Sequence, residues 1–354
     1  MIKHFKKIVC LSITTILLQS GNSVFAGNED RSGQAGASQM LINPWARSSG
    51  WGGVNIASVR GVESIYLNVA GAAFVKKTEI AFTNTQYLKG SEISINSLGI
   101  SQKVGSSSVI SISIMSMSLG DIPITTEITP EGGTGTYSPQ FINFGLSYSK
   151  EFSNSIYGGI SVKSISESIS DLKASGFAFD AGIMYITGNN ENKDNLKFGI
   201  SLKNVGAPMK YSGDGLSVKV ASLSGNYQLT VEQRSEKFEI PSLVNIGISY
   251  DFELAANHKI TAAADFVSNS FSSDNYGLGL EYTFKKLFSL RTGYVYENNL
   301  SDAEESLTVS NGISGGVTFE IPLGKTGKSF GIDYSYQTTR YFDGTHRIGA
   351  RITL

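Results

Sequence analysis

The chain has one cysteine, three histidines and seven prolines in 354 residues. Cys10 lies in an N-terminal apolar run that is expected to be cleaved off, and it lacks the small residues that precede a lipidated cysteine. The mature chain then offers neither a disulfide nor a thiolate metal site. Charge is scarce at 17%, where about a quarter is usual for a soluble domain. Neither sign is in excess: 29 basic against 30 acidic side chains give a formal charge of -1. That excludes a phosphate-tracking surface, and nucleic acid is not expected as a partner. After Ala26 no apolar run approaches the roughly 18 residues that a spanning helix needs.

Glycine and aromatics are abundant, with 39 Gly, 16 Tyr and 19 Phe. Such a composition fits a membrane β-barrel, in which only alternate residues face lipid. Residues 1–26 read as a signal peptide. Lys3, Lys6 and Lys7 form its basic region, Ile8–Leu18 its apolar run, and Val24-Phe25-Ala26 its cleavage site. The polar segment 27–44 follows and is expected to be disordered from its Gly27 start. Residues 45–78 are rich in Gly, Ala and Ser, cannot form a core alone, and read as a plug or hatch inside the barrel formed by 79–354.

From Glu79 the hydrophobic period is two, the pattern of strands. The first seven are expected at Glu79–Tyr87, Glu92–Gln102, Ser108–Ser118, Phe141–Ser149, Ser155–Ile165, Gly176–Thr187 and Leu196–Asn204. The second seven fall at Ser242–Asp251, His258–Val267, Asn275–Phe284, Phe288–Tyr296, Gly312–Ile321, Ser329–Thr338 and Thr345–Leu354. Gly215–Leu223 also alternates and is assigned to a loop hairpin. The longest links, Leu119–Gln140, Val205–Pro241 and Glu297–Asn311, all follow odd-numbered strands, while links such as Lys103–Ser107 follow even ones. Outer-membrane barrels sort their loops this way, with both termini periplasmic. The prediction is an all-β, fourteen-stranded antiparallel transmembrane barrel in the outer membrane. Charges on the alternating strands, among them Lys163, Asp180, Asp265, Arg291, Arg347 and Arg351, are expected to face inward. An Arg or Lys facing lipid at mid-depth would cost about 2–4 kcal/mol. These inward charges are expected to pair with each other and hold the hatch; the alternative is that they define an ion path.

Chemistry-bearing motifs are few. Gly312-Ile313-Ser314-Gly315-Gly316 satisfies the G-x-S-x-G pattern of a hydrolase nucleophile, but it opens a strand, whereas that motif works at a strand-to-helix elbow. Asn189–Asp194 and Ser212–Gly215 offer oxygen ligands without the spacing of a calcium loop. No catalytic activity and no cofactor is expected. Trp45 and Trp51 either line a path for a hydrophobic ligand or pack on the wall. The loop Val205–Pro241 is the candidate for partner contact, through Pro208, Met209, Tyr211, Leu216 and Tyr227. It either rises as a hairpin or folds over the pore mouth.

Several pieces in order resemble the PorV/PorQ family, relatives of the FadL fatty-acid transporters. They are Ala46-Arg47-Ser48-Ser49-Gly50-Trp51-Gly52-Gly53, then Asn68-Val69-Ala70-Gly71, where the family has Asn-Pro-Ala-Gly, and Leu202–Tyr211. Ile240-Pro241, Gly279-Leu280-Glu281-Tyr282, Leu290–Tyr294 and His346-Arg347-Ile348 add to the set. The acidic pair that often precedes the Asn-Pro-Ala-Gly motif is reduced to Glu63. The resemblance implies a FadL-like barrel whose hatch carries the plug motif Asn68, Ala70 and Gly71. It also implies a role in type IX secretion: a monomeric barrel within a larger complex, binding the translocon, exported proteins with C-terminal signal domains, or a surface component. The alternative it leaves open is a FadL-like transporter of small hydrophobic molecules.

Overall fold

The computed structural model describes residues 27–187, 194–222, 225, 227–324 and 327–354. The expected signal peptide lies outside them. Fourteen strands form a closed antiparallel barrel. The first half comprises β1 (Thr78–Gln86), β2 (Ser94–Val104), β3 (Ser108–Ser118), β4 (Gln140–Glu151), β5 (Ile156–Ile169), β6 (Leu172–Thr187) and β7 (Leu196–Gly206). The second comprises β8 (Leu243–Ala255), β9 (His258–Asn269), β10 (Asn275–Phe284), β11 (Phe288–Glu297), β12 (Ser310–Pro322), β13 (Ser329–Thr339) and β14 (Thr345–Thr353). Each strand pairs with the next, and β14 closes onto β1, with Glu79 opposite Thr353 and Gln86 opposite His346. Closure removes every free strand edge from the bilayer, where an unpaired backbone group has no water to bond.

Burial alternates along each strand. In β10, Tyr276, Leu278 and Leu280 are exposed to the outside while Gly277 and Gly279 are buried. The inward faces are largely Ser, Thr, Asn and charged residues: Ser97, Ser101, Ser147, Ser161, Thr261 and Thr318 are all buried. Aromatic pairs mark the ends of the apolar band, such as Tyr250 with Phe252 at one end and Phe266 with Tyr276 at the other. One end carries the short turns and the other the long loops. β5 and β6, at 14 and 16 residues, project beyond the rim at the long-loop end.

Barrels of about eight strands fill their interior with wall side chains, whereas wider ones leave a channel. Here the space is taken by the chain itself. Residues 45–75 lie inside, as short helical turns at Ala46–Ser49, Ser64–Leu67 and Val69–Phe74. Their side chains are almost all buried, including Trp45, Trp51, Val54, Ile56, Val62 and Ala70. The chain enters from the long-loop end, where Asn28 N donates to Asn269 O, and leaves at the short-turn end, where Lys103 N donates to Lys77 O.

The segment from Gly27 departs from the expectation of disorder. Arg31 pairs with Glu239 at 2.9 Å and lies over the Phe271 ring, Ser273 Oγ donates to Glu29 Oε1, and Ala35 forms a parallel bridge with Glu239. Polarity had suggested a solvated tail. The contacts that order it come from loops more than 200 residues away.

Candidate functional site

Three features carry the functional argument: the seam between wall and lumenal segment, the rim sheet with its hairpin, and the space between them.

The seam is built on glycine. A Cβ added at Gly279 would lie 2.7 Å from Trp51 Cε3, at Gly199 2.8 Å from Ala57 Cα, and at Gly159 2.8 Å from Val69 Cγ1. At Gly99, Gly182 and Gly293 it would collide with Val62, Asn68 and the Trp51 carbonyl respectively. Several of these glycines face each other across strands: Gly159 with Gly182, Gly199 with Gly247, Gly279 with Gly293. They clear a belt on the inner wall into which the lumenal segment fits. The signal was in the sequence, since glycines recur on the polar face of strands, as at Gly277 and Gly279. Only the fold shows that they meet one surface.

Asn68 pins the segment within that belt. Its Nδ2 donates to wall carbonyls, Ile183 O at 3.2 Å and Ile200 O at 3.4 Å, and to Ile56 O at 3.3 Å. Its Oδ1 accepts from Ala70 N at 3.2 Å and caps the turn Val69–Phe74. Val69 is the first residue of that turn, where proline is tolerated because its missing N–H would have no partner inside the turn. The departure from Asn-Pro-Ala-Gly therefore leaves the turn intact. Ala70 packs among Val59, Leu67, Tyr157 and Met184, and Gly71 leaves no room for a side chain beside the Val59 carbonyl and Ser64. Ser149 and Ser201 donate to Val69 O and Leu67 O, and Glu79 accepts from Val62 N.

The inward charges are mainly paired along the wall, not to the segment. Lys163 pairs with Asp180, Lys197 with Asp251 at 2.7 Å, Arg291 with Glu281 at 2.5 Å, and Arg351 with Glu320 at 2.7 Å. Trp45 and Trp51 pack against the wall at Gly99 and Gly279. The G-x-S-x-G stretch lies within β12 and forms no elbow; Ser314 Oγ donates to the carbonyls of Gly293 and Gly50. Residues 189–193 of the first oxygen-rich stretch are outside the described residues. Among the described residues no three His, Cys, Asp or Glu cluster as metal ligands.

The long loop after β7 starts at a bulge. Two residues, Lys203 and Asn204, stand opposite Asp180, and Asn204 takes a left-handed conformation with φ 59°. Asn204 N donates to Asp180 Oδ1, its Nδ2 to Pro241 O, and its Oδ1 accepts from Lys163. The loop then adds strands to the projecting edge of β6. Tyr211 and Ser212 pair with Ala174 and Lys173, and Met209 with Phe238. Met209, expected as a partner contact, is 1% exposed and packs with Ile165, Ala178, Ile240 and Met40. Its place in the longest outside loop marks it as available; β6 projecting past the rim is what covers it. Tyr211 is half-buried, packs against Phe238 with the two rings tilted, and donates to Glu167 Oε2 at 2.5 Å. Burial and that carboxylate hold the phenol above its usual range. Pro208 is exposed and Leu216 half-buried. Beyond them Ser217–Ala221 and Gln228–Glu232 form a separate two-stranded hairpin. Val220, Leu229, Val231 and Tyr227 are all exposed on it, Tyr227 at 59%.

Between rim and lumenal segment lies a cavity of about 580 Å³, whose lining includes Tyr66, Tyr87, Lys203, Asp265, Glu297 and Arg347. Neither tryptophan lines it.

An apolar outer band, a polar inner wall and a filled lumen define an outer-membrane β-barrel. Over residues 65–352 the sequence matches the family described as type IX secretion system membrane protein PorP/SprF, and the chain belongs to that family. The sequence resemblance had named PorV/PorQ; the match is to PorP/SprF, and type IX secretion is what the two readings share. No curated protein matches the sequence. Among solved structures, the toluene transporter TodX of Pseudomonas putida is similar at a TM-score of 0.55 and 12% identity, over 88% of this chain and 97% of that one. The toluene transporter TbuX of Ralstonia pickettii is similar at 0.51, also at 12% identity and over 88% and 97% of the two chains. At such identity the likeness is one of fold. In an outer-membrane barrel the long-loop end is the extracellular one.

Proposed function

We propose that this barrel serves type IX secretion without catalysis, as a membrane-held scaffold that binds its partner through the extracellular rim. The partner is an exported protein with a C-terminal signal domain, the translocon, or a surface component. The carrying observation is the hairpin Ser217–Ala221/Gln228–Glu232. A two-stranded hairpin alone in water is marginal, yet this one displays Val220, Leu229 and Val231 outward, in the loop whose Tyr211 and Ser212 pair with β6. It presents apolar side chains and, among the described residues, two edges paired to no further strand, to which a partner strand can add. The lumenal segment acts as a plug that keeps the scaffold closed and rigid. Tagged protein is purified from its own outer membrane in mild detergent, with and without residues 216–233, and co-purifying proteins are identified by mass spectrometry. Loss of the partner from the deleted protein, with barrel and rim intact, is the expected result. Equal recovery from both proteins would refute a role for the hairpin.

The second reading is a channel for small hydrophobic molecules. It is favoured by the fold shared with toluene transporters and by the cavity above the plug. On that reading Ala70→Leu blocks uptake while hairpin deletion has no effect.

A further inference from the structure

Most charges on the lumenal wall have a partner of opposite sign, but four around the cavity do not. Lys203 on β7, Asp265 on β9, Glu297 on β11 and Arg347 on β14 make no ion pair among the described residues, and all four line this one space. The Lys203 ammonium lies 3.6 Å from the centroid of the Tyr66 ring, with that π face beneath it. Arg347 is 2% exposed. It donates through Nε to Asn43 O at 3.2 Å and through Nη2 to Gln337 Oε1 at 3.4 Å, and its Nη1 has no hydrogen-bond partner. Asp265 accepts a backbone N–H from Gly277, and Glu297 is hydrogen-bonded by Ser272. Neither acid meets a cation.

Leaving a buried guanidinium with a spare donor is costly, because its hydration is lost and no counter-charge replaces it. Most of the wall's other charges are paired, so a cavity lined by two basic and two acidic side chains without an ion pair among the described residues has the lining of a site completed by a ligand. The signs balance. A lone anion would satisfy only Lys203 and Arg347, and a hydrocarbon would satisfy none of the four.

We propose that the cavity binds a small zwitterion of the amino-acid or short-peptide class, with its carboxylate at Lys203 and Arg347 and its ammonium at Asp265 and Glu297. The site opens toward the long-loop end, since Asn269, Ser272, Leu307 and Thr308 are part of its lining. The ligand therefore enters from outside the cell and does not cross the plug. This inference is independent of the partner bound at the hairpin.

The test is isothermal titration of the full-length protein in non-ionic detergent at pH 7 and low salt. Four probes are compared: alanyl-alanine, its N-acetyl derivative, its C-terminal amide and toluene. Alanyl-alanine is expected to bind, and capping either end to weaken it by about tenfold or more, as loss of a desolvated charge contact does. Arg347→Met, Lys203→Met and Asp265→Asn should each weaken the free dipeptide to a similar degree. Correct folding of each variant is read from its heat-modifiable migration on gels. If Arg347→Met does not fold, Lys203→Met and Asp265→Asn decide. N-acetyl-alanyl-alanine binding as tightly as the free dipeptide would reduce the site to an anion site and overturn the proposal. Binding of toluene alone, or heat from none of the four, would overturn it as well.

Discussion

Replacing Asn68 by alanine should release the lumenal segment while leaving the wall in place. The side chain has two amide protons shared among three carbonyls, two of them on the wall, and an oxygen that caps Ala70 N. Losing the cap costs about 1 kcal/mol, and each of two buried neutral hydrogen bonds about the same. The sum, about 3 kcal/mol, multiplies local opening by roughly 150-fold, since 1.4 kcal/mol is a factor of ten. Hydrogen exchange read by mass spectrometry on peptides from 55 to 75 should accelerate by that order, with β1 to β14 unchanged. Asn68→Asp makes the argument sharper. It is nearly isosteric and keeps the capping oxygen, but it aims an acceptor at the three carbonyls, so exchange should be at least as fast as in Asn68→Ala. Wild-type protection in Asn68→Asp would show that shape alone holds the segment, and the hydrogen-bond account would fail.

Other consequences follow from the same contacts. Gly279→Leu puts a side chain where Trp51 stands and should destabilise the fold by about 1–3 kcal/mol. Gly315→Ala, whose new Cβ has only Arg291 O nearby at 3.7 Å, should change stability by less than about 0.5 kcal/mol; urea titrations in detergent compare the two. Arg291→Met leaves Glu281 without its ion-pair partner and Thr318 without its guanidinium donor and should cost about 3–5 kcal/mol. The double variant with Glu281→Gln should recover much of that loss in the same titration. Tyr211→Phe removes the bond to Glu167, worth about 1.5–3 kcal/mol for a charged acceptor. Limited proteolysis within residues 212–237 should then speed up while the barrel core stays resistant.

The barrel itself was legible because a membrane sheet obeys one simple rule, that alternate residues meet lipid. Tyr276, Leu278 and Leu280 against Gly277, Gly279 and Glu281 disclose β10 without any tertiary information. Observed strands such as Ser108–Ser118 and Asn275–Phe284 coincide with the expected ones. β5 and β6 run further at the extracellular end than the alternating pattern predicts. Beyond the rim no lipid face enforces alternation, and the edge of β6 is set by pairing with the returning loop. The hairpin announced itself by the alternation of Val218 and Val220. Met209 lies in the same loop, yet its burial depends on Ile240 and Ala37, distant in sequence and brought together at the rim.

Sequence by itself determined the class: a closed sheet with lipid outside, polar groups inside, and an interior requiring a filler. These follow from composition and a period of two, which are local properties. Tertiary structure alone decided which glycines form the belt that receives the lumenal segment. It also decided which carbonyls Asn68 reaches, and which four charges are left unpaired around one cavity. Those facts depend on closure of the barrel, which brings β14 beside β1 and sets residues from distant strands around the same few cubic nanometres. No period along the chain encodes that proximity.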